Sequence, residues 1–224
     1  MSSVIYTDYS DPQWGRVVFL TDEESHDAYS IRVRTEWKPD PEVGLAITLL
    51  KKNIKREGGD GAGDVLDLGA NIGTWCMPTC LATENRFLAF EALPSNAKLL
   101  QLAINANGLH RRLSLHKLAI WDSDTTLKFS GSSAYGVVDE HGSINVPARS
   151  LDSLLDDGLL SSLALIKMDI EGCELRAING GMRCLEKYHP DIIFEANGAH
   201  CISNGYFPQD IIRTLEILGR YVSR

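Results

Sequence analysis

The chain has 224 residues, 44% of them apolar and 23% charged, with a formal net charge of −8. That length allows one medium domain, or one domain with a short extension, around a sizeable core. The acidic balance disfavours a protein that grips nucleic acid through phosphates, and the one basic cluster, residues 51–56, reads as a solvated helix end.

No apolar run reaches membrane-spanning length, and the opening MSSVIYTDYSDPQ lacks the basic start and apolar stretch of a secretion signal. The expectation is a cytoplasmic protein without membrane or nucleic-acid partners. The five cysteines, Cys76, Cys80, Cys173, Cys184 and Cys201, form no C-x-x-C pair and are odd in number. Reduced, buried thiols are therefore expected, not a disulfide framework or a zinc site.

In chain order, residues 16–20 and 29–34 read as short strands, the second by its period-2 alternation. Pro39 and Pro41 punctuate, and a helix follows over 43–55 with Val43, Ala46, Ile47, Leu50 and Ile54 on one face. Residues 57–63 read as a flexible glycine-rich loop. From residue 64 short apolar runs alternate with helical stretches. The expected strands are 64–68, 86–91, 113–117, 163–168 and 191–195, and the expected helices are 74–82, 95–107, 151–155, 173–188 and 209–218.

This alternation predicts an α/β fold, a doubly wound and mostly parallel sheet of Rossmann-like type. Residues 1–56 are expected to be an N-terminal extension packed on a domain spanning 57–224. An insertion breaks the rhythm, with strands over 125–129 and 143–148 around a loop at 130–136, and reads as a substrate-side element. Ligands of such sheets bind beyond the carboxyl ends of the strands, which directs attention to Leu68.

There the chain reads VLDLGANIGTW, residues 65–75. Gly69, Asn71 and Gly73 mark a turn that lets backbone approach a ligand, with Ala70 and Thr74 on the same loop. The following helix offers free amides to a carboxylate or phosphate. The spacing is not the G-x-G-x-x-G of a dinucleotide site. Asp67 would repel a pyrophosphate but suits an ammonium group, such as that of the methionine part of S-adenosylmethionine. Some twenty residues on, Glu91 ends a strand, with Ala92 after it, at the spacing of a carboxylate that accepts from ribose hydroxyls.

Asp169 and Glu171 end another strand, and Glu174 falls in the first turn of the next helix, where an acid suits the helix dipole. Glu195 and Asn197 end the next strand and could face the substrate, as could His200. His116, His141 and His200 are possible bases, although a lone histidine is more often structural. The paired acids could hold a divalent metal, but no histidine or third ligand stands out beside them, so no metal is expected.

Together these segments resemble the FkbM family of methyltransferases, over about residues 65–219. The resemblance rests on LDLGANIGTW, AFEALPSNAKLL, LHKLAIWDSD, VPARSLDSLL, LIKMDIEGCELRAINGG and DIIFEANG in that order. It implies methyl transfer from S-adenosylmethionine, leaving S-adenosylhomocysteine, usually to a hydroxyl oxygen. The acceptors are small molecules, sugars or natural-product intermediates, and in some members peptide nitrogen. By this resemblance Asp67, Gly69, Asn71 and Gly73 fall on the donor loop and Glu91 on the ribose position. Ala119 and Ile120 fall near adenine, and Asp169, Glu171 and Gly172 on the second acidic motif.

Asp169, then Glu171, is the expected general base. Two departures stand out. Pro78 sits early in the helix after the loop. The chain also leaves room for at most one of the two strands that usually close such a sheet, so its edge is expected to be trimmed or completed by another subunit. A silent S-adenosylmethionine-binding relative, a partner-binding module and an NAD-dependent oxidoreductase stand as rival readings.

Overall fold

The computed structural model describes residues 3–56, 63–132 and 135–218. The loop expected over 57–63 lies outside the described residues except for Gly63, as do positions 133 and 134 of the loop expected over 130–136.

The chain opens with an antiparallel hairpin, β1 (Val4–Asp11) and β2 (Gly15–Asp22). Helices α1 (Ala28–Thr35) and α2 (Pro41–Arg56) follow. The strand expected over 29–34 is a correction: this segment is α1. The Asp27 side chain caps it by accepting from the Ser30 amide at 2.8 Å, and Ser30 and Val33, three residues apart, turn inward. Of the alternating apolar residues Tyr29, Ile31 and Val33, Val33 is buried and Ile31 is exposed, as a helix and not a strand places them. In α2, Val43, Ala46, Ile47 and Leu50 are buried at the helical spacing the sequence shows.

Next come β3 (Asp64–Leu68), α3 (Cys76–Ala82), β4 (Phe87–Phe90), α4 (Pro94–Ala106) and β5 (Leu113–His116). Pro78 lies in the first turn of α3, where its missing N–H removes no helical bond. The inserted region contains β6 (Ala119–Ile120), β7 (Thr125–Ser132), β8 (Tyr135–Val138) and β9 (Ile144–Arg149). These form a separate four-stranded sheet in the order β6-β9-β7-β8, so the expected pair of extra strands belongs to a larger unit.

After it come α5 (Leu151–Asp156), β10 (Leu163–Met168), α6 (Glu174–Asn179), α7 (Met182–Tyr188), β11 (Asp191–Phe194), α8 (Gly198–Ser203) and α9 (Pro208–Ile217). The single helix expected over 173–188 is two. It breaks at Gly180-Gly181, where a side chain on Gly180 would collide with the Trp121 carbonyl. The Asp152 carboxylate restarts the next helix by accepting from the amide of Cys184 at 2.9 Å. Helix α8 was not expected.

The main sheet runs β11-β10-β3-β4-β5, all parallel. Its central strands β10, β3 and β4 are buried on both faces. Val65 packs with the first hairpin, α2, α3 and α4, while Leu66 and Leu68 pack with the helices after β9. Chain order reverses between β3 and β10, so the two strands that flank the switch sit side by side with their carboxyl ends diverging into helices on opposite sides. The register makes Leu68, Phe90, Met168 and Phe194 a level row. The next residue on each strand (Gly69, Glu91, Asp169, Glu195) therefore stands at one edge of the sheet. No helix among the described residues is long and apolar enough to cross a membrane.

Candidate functional site: the cleft at the switch point

The edge formed by that row opens into a cleft of about 1060 Å³, solvent included. Its floor is backbone. Gly69 has φ +81°, and a side chain on it would collide with the carbonyl oxygen of Asp169. Only glycine lets the β3 and β10 turns touch, a contact closed by the Asp169 amide donating to the Leu68 carbonyl at 3.0 Å. Ala70, Asn71 and Thr74 continue the floor. Gly73 lies behind it with φ +91°, facing Leu100 and Met77 rather than the cleft.

Glu91 lines the cleft although it is only 6% exposed. Its carboxylate accepts from the amide of Asn71 at 2.7 Å and from that of Leu93 at 2.8 Å. Burial pushes the carboxyl up to about 7, against the pull of these two amides. Beyond it, Leu118, Ala119, Ile120, Phe129 and Val138 make an apolar wall supplied by β6–β8 and the residue before them. Trp121 adjoins this wall with the Arg176 guanidinium 4.8 Å from its ring centre, and Arg176 is itself held by Asp122 at 2.7 Å. An apolar slot ending in a carboxylate that accepts hydrogen bonds suits an adenosine, with the ribose hydroxyls toward Glu91.

Asp67 does not line the cleft. It is fully buried on the face of β3 toward α2 and α3, and its register partner across the sheet is Lys167. The Lys167 ammonium sits 3.4 Å from the Asp67 carboxylate and 3.3 Å from that of Asp169. Burial works against the charge on Lys167, yet Asp67 and Asp169 together raise its pKa above the ordinary lysine value. Asp67 therefore faces a cation within the chain, whereas Asp169, 45% exposed, meets the cleft. Lys167 also lines the cleft. Its signal in the sequence was a lone charge inside an apolar parallel strand, Leu-Ile-Lys-Met.

Glu171, half-buried, also lines the cleft and holds a left-handed φ of +55°. Burial raises its carboxyl, Asp169 adds to the rise, and His200 opposes it. Glu195, Asn197 and His200, expected to face a substrate, do not line the cleft. Glu195 and His200 instead gather beside Glu171. The His200 Nδ1 lies 2.9 Å from Glu171 Oε2, and one ligating atom from each of Glu171, Glu195 and His200 falls within 4.8 Å of the others. Folding thus supplies the histidine that was not evident beside the acids in sequence. Asn197 caps α8, accepting from the amides of Ala199 and His200 at 3.0 and 3.4 Å.

Glu174 is 1% exposed, and its carboxylate accepts from the amides of Ile170 and Gly172 and from the Tyr206 hydroxyl. It thereby holds the β10–α6 turn in shape. His116 stacks on Phe90 at 5.0 Å, and burial lowers its pKa. His141 is exposed in the turn after β8. All five cysteines are free and buried.

Three residues that sequence reasoning missed, Tyr29, Asp40 and Glu42, bring the N-terminal segment to the cleft. The Tyr29 hydroxyl lies 2.6 Å from that of Thr74, so α1 is fastened to the loop after β3.

An apolar slot beside a glycine turn, at the switch point of a parallel sheet, is where α/β folds of this kind take a ligand. The FkbM methyltransferase domain matches residues 67–221, and the chain belongs to that family of S-adenosylmethionine-dependent methyltransferases. No match is found among curated protein sequences.

Solved structures with a similar fold include an O-methyltransferase from Bacillus cereus in complex with SAH. It is 13% identical, with 86% of this chain and 75% of that chain covered at a TM-score of 0.48. A SAM-dependent O-methyltransferase from Thermotoga maritima is 12% identical, with 94% and 61% covered and a TM-score of 0.44. P. horikoshii TYW2 in complex with MeSAdo is 17% identical, with 51% and 36% covered and a TM-score of 0.33. The chain thus spans about a third of the length of TYW2. None of these likenesses bears on the acceptor.

Proposed function

We propose that the chain methylates a hydroxyl oxygen on a small molecule, sugar or natural-product intermediate, with Asp169 as the general base. The observation that carries this is the half-exposed Asp169 carboxylate. Of the two acids on the edge row that line the cleft, Glu91 is buried and held by two backbone amides, whereas Asp169 is open to the cleft beside the glycine turn. S-Adenosylmethionine supplies an electrophilic methyl carbon when bound. The residues present fit it: the turn Gly69–Asn71 lines the cleft with small or backbone surface, Glu91 would accept from the ribose hydroxyls, and Ala119 and Ile120 would flank the adenine.

The chain's own contribution is to bring the acceptor oxygen close to that carbon and take its proton. Positioning supplies much of the rate. An alcohol is a poor nucleophile at neutral pH, and a placed base contributes about 10²–10⁴-fold. Lys167, anchored by buried Asp67, holds the Asp169 carboxylate against the β10 end.

Calorimetric titration with S-adenosylhomocysteine, with NADH in parallel, tests the donor, and binding of the first alone is expected. Asp169→Asn should then lower turnover by about 10²–10⁴-fold while leaving affinity for S-adenosylhomocysteine nearly unchanged. Equal loss of both would make Asp169 a donor ligand instead of a base, and binding of NADH alone would overturn the methyltransferase reading.

A further inference from the structure

We propose that Glu171, Glu195 and His200 form a site for a divalent transition-metal ion beside the cleft, joined to it at Glu171, with positions left open for an oxygen of the acceptor. The last clause rests on the methyl-transfer reading above, whereas the metal site itself stands on geometry.

The three residues come from separate parts of the chain: the turn after β10, the end of β11, and α8. A ligating atom from each lies within 4.8 Å of the others. Carboxylate oxygens and imidazole nitrogens sit about 2.0–2.2 Å from a bound metal, so ligands on one ion lie within about 4.4 Å of each other. Small side-chain rotations therefore close the set. The contact of His200 Nδ1 with Glu171 Oε2 at 2.9 Å already brings two of the ligand atoms together.

The surroundings hold this arrangement. Gly172, at φ +90°, lets the Glu171 turn lie against α8, since a side chain there would meet the His200 carbonyl at 2.7 Å. Asn197 fixes the start of α8 and so the position of His200.

Charge points the same way. Asp169 and Glu195 follow the paired residues Met168 and Phe194 on adjacent strands, so Asp169, Glu195 and Glu171 form one neighbouring group of acids. The cation nearest to them, Lys167, is shared with buried Asp67. A methyl donor brings a single sulfonium charge, which leaves an excess of negative charge that a divalent ion would neutralise.

The donor set selects the ion. Carboxylates suit Mg²⁺, Ca²⁺ and Mn²⁺, while imidazole suits Zn²⁺, Fe²⁺ and heavier ions. Two carboxylates and one imidazole fall where these overlap, with Mn²⁺ the convenient probe. Three protein ligands leave coordination positions open, the pattern of metal sites that take a substrate. A metal there would hold an acceptor hydroxyl next to Asp169 and make its proton easier to remove.

The test is titration of the full chain with Mn²⁺, followed by the loss of the free-ion signal in electron paramagnetic resonance. S-Adenosylhomocysteine binding is measured on the same samples. One tightly bound equivalent of Mn²⁺ is expected. Glu195→Gln and His200→Ala, both at solvent-accessible positions, should each weaken it by at least about tenfold while S-adenosylhomocysteine still binds. Absence of stoichiometric Mn²⁺ binding, or binding unchanged in both variants, overturns the proposal. Loss of S-adenosylhomocysteine binding by the unaltered chain would strike the methyl-transfer reading and leave the Mn²⁺ result to stand by itself.

Discussion

The two sides of the cleft are built by different means. On the donor side, the turns after β3, β4 and β10 are fixed by backbone contacts: Gly69 against Asp169, Ala70 and Gly69 bonded to the Phe90 carbonyl, Glu91 pinned by two amides. Below them lies a buried ion pair. On the opposite side, α1, α2 and the loop between them contribute side chains, Tyr29, Asp40 and Glu42, that share no turn with the sheet. A donor shared by a whole family can be served by a fixed backbone cradle. An acceptor that differs among members is served by side chains that can change without disturbing the sheet.

The sharpest way to break this contrast is to attack the ion pair under the donor side. Lys167→Met leaves the Asp67 carboxylate buried without its cation. Removing one partner of a buried pair costs about 3–5 kcal/mol. For a chain of this size that lowers the melting temperature by on the order of 10 °C. Burial already raises the Asp67 carboxyl, and Lys167 opposes the rise. With Lys167 gone the folded state favours the protonated acid still more, so it binds more protons than the unfolded state. Stability of the variant should therefore recover as pH falls. A loss below about 1 kcal/mol at neutral pH would mean that water reaches the pair and that the donor side is not rigid.

This contrast also explains what could be read in the sequence. The parallel strands were legible because a strand buried on both faces is a short apolar run between turns. The glycine turn was legible because positive φ and close approach demand glycine at fixed spacing. Asp67 was read as facing the ammonium group of the donor, but its neighbour in space is Lys167, which lies a hundred residues on and meets it only through sheet register. Tyr29 was read as part of a strand because alternation was judged without weighing the Asp27 cap. Asp40 and Glu42 carry no motif. The grouping of Glu171, Glu195 and His200 needed the position of α8, a helix too short to announce itself by periodicity.

A smaller effect separates what the fold prefers from what the donor prefers at Glu91. Burial raises this carboxyl to about 7. The unfolded value is near 4.5, so the folded protein holds the proton between these limits and its own stability from this group falls as pH rises through them. Ribose hydroxyls donate to the ionised form, so donor binding should run the other way. If only the ionised form binds well, S-adenosylhomocysteine affinity should rise about tenfold between pH 6 and pH 8, the change in ionised fraction about a pKa of 7. Calorimetry across that range measures it, and Glu91→Gln should flatten the dependence. The same slope in wild type and variant would place the titrating group elsewhere.

The smallest expected effect probes a hydrogen bond that fastens α1 to the donor side, between the hydroxyls of Tyr29 and Thr74 at 2.6 Å. Tyr29→Phe keeps the ring in place and removes the hydroxyl. An intramolecular hydrogen bond of this kind contributes about 0.5–1.5 kcal/mol net, because both groups regain water when it is lost. If α1 is a cover laid over a cradle that is rigid without it, the cost appears in thermal stability. Affinity for S-adenosylhomocysteine then changes by less than about threefold, under half of the ~1.4 kcal/mol that a tenfold change requires. A tenfold loss of affinity would instead show that Thr74 and its loop take their shape from Tyr29, and the division between a backbone-built donor side and a side-chain-built cover would fail at the point where the two touch.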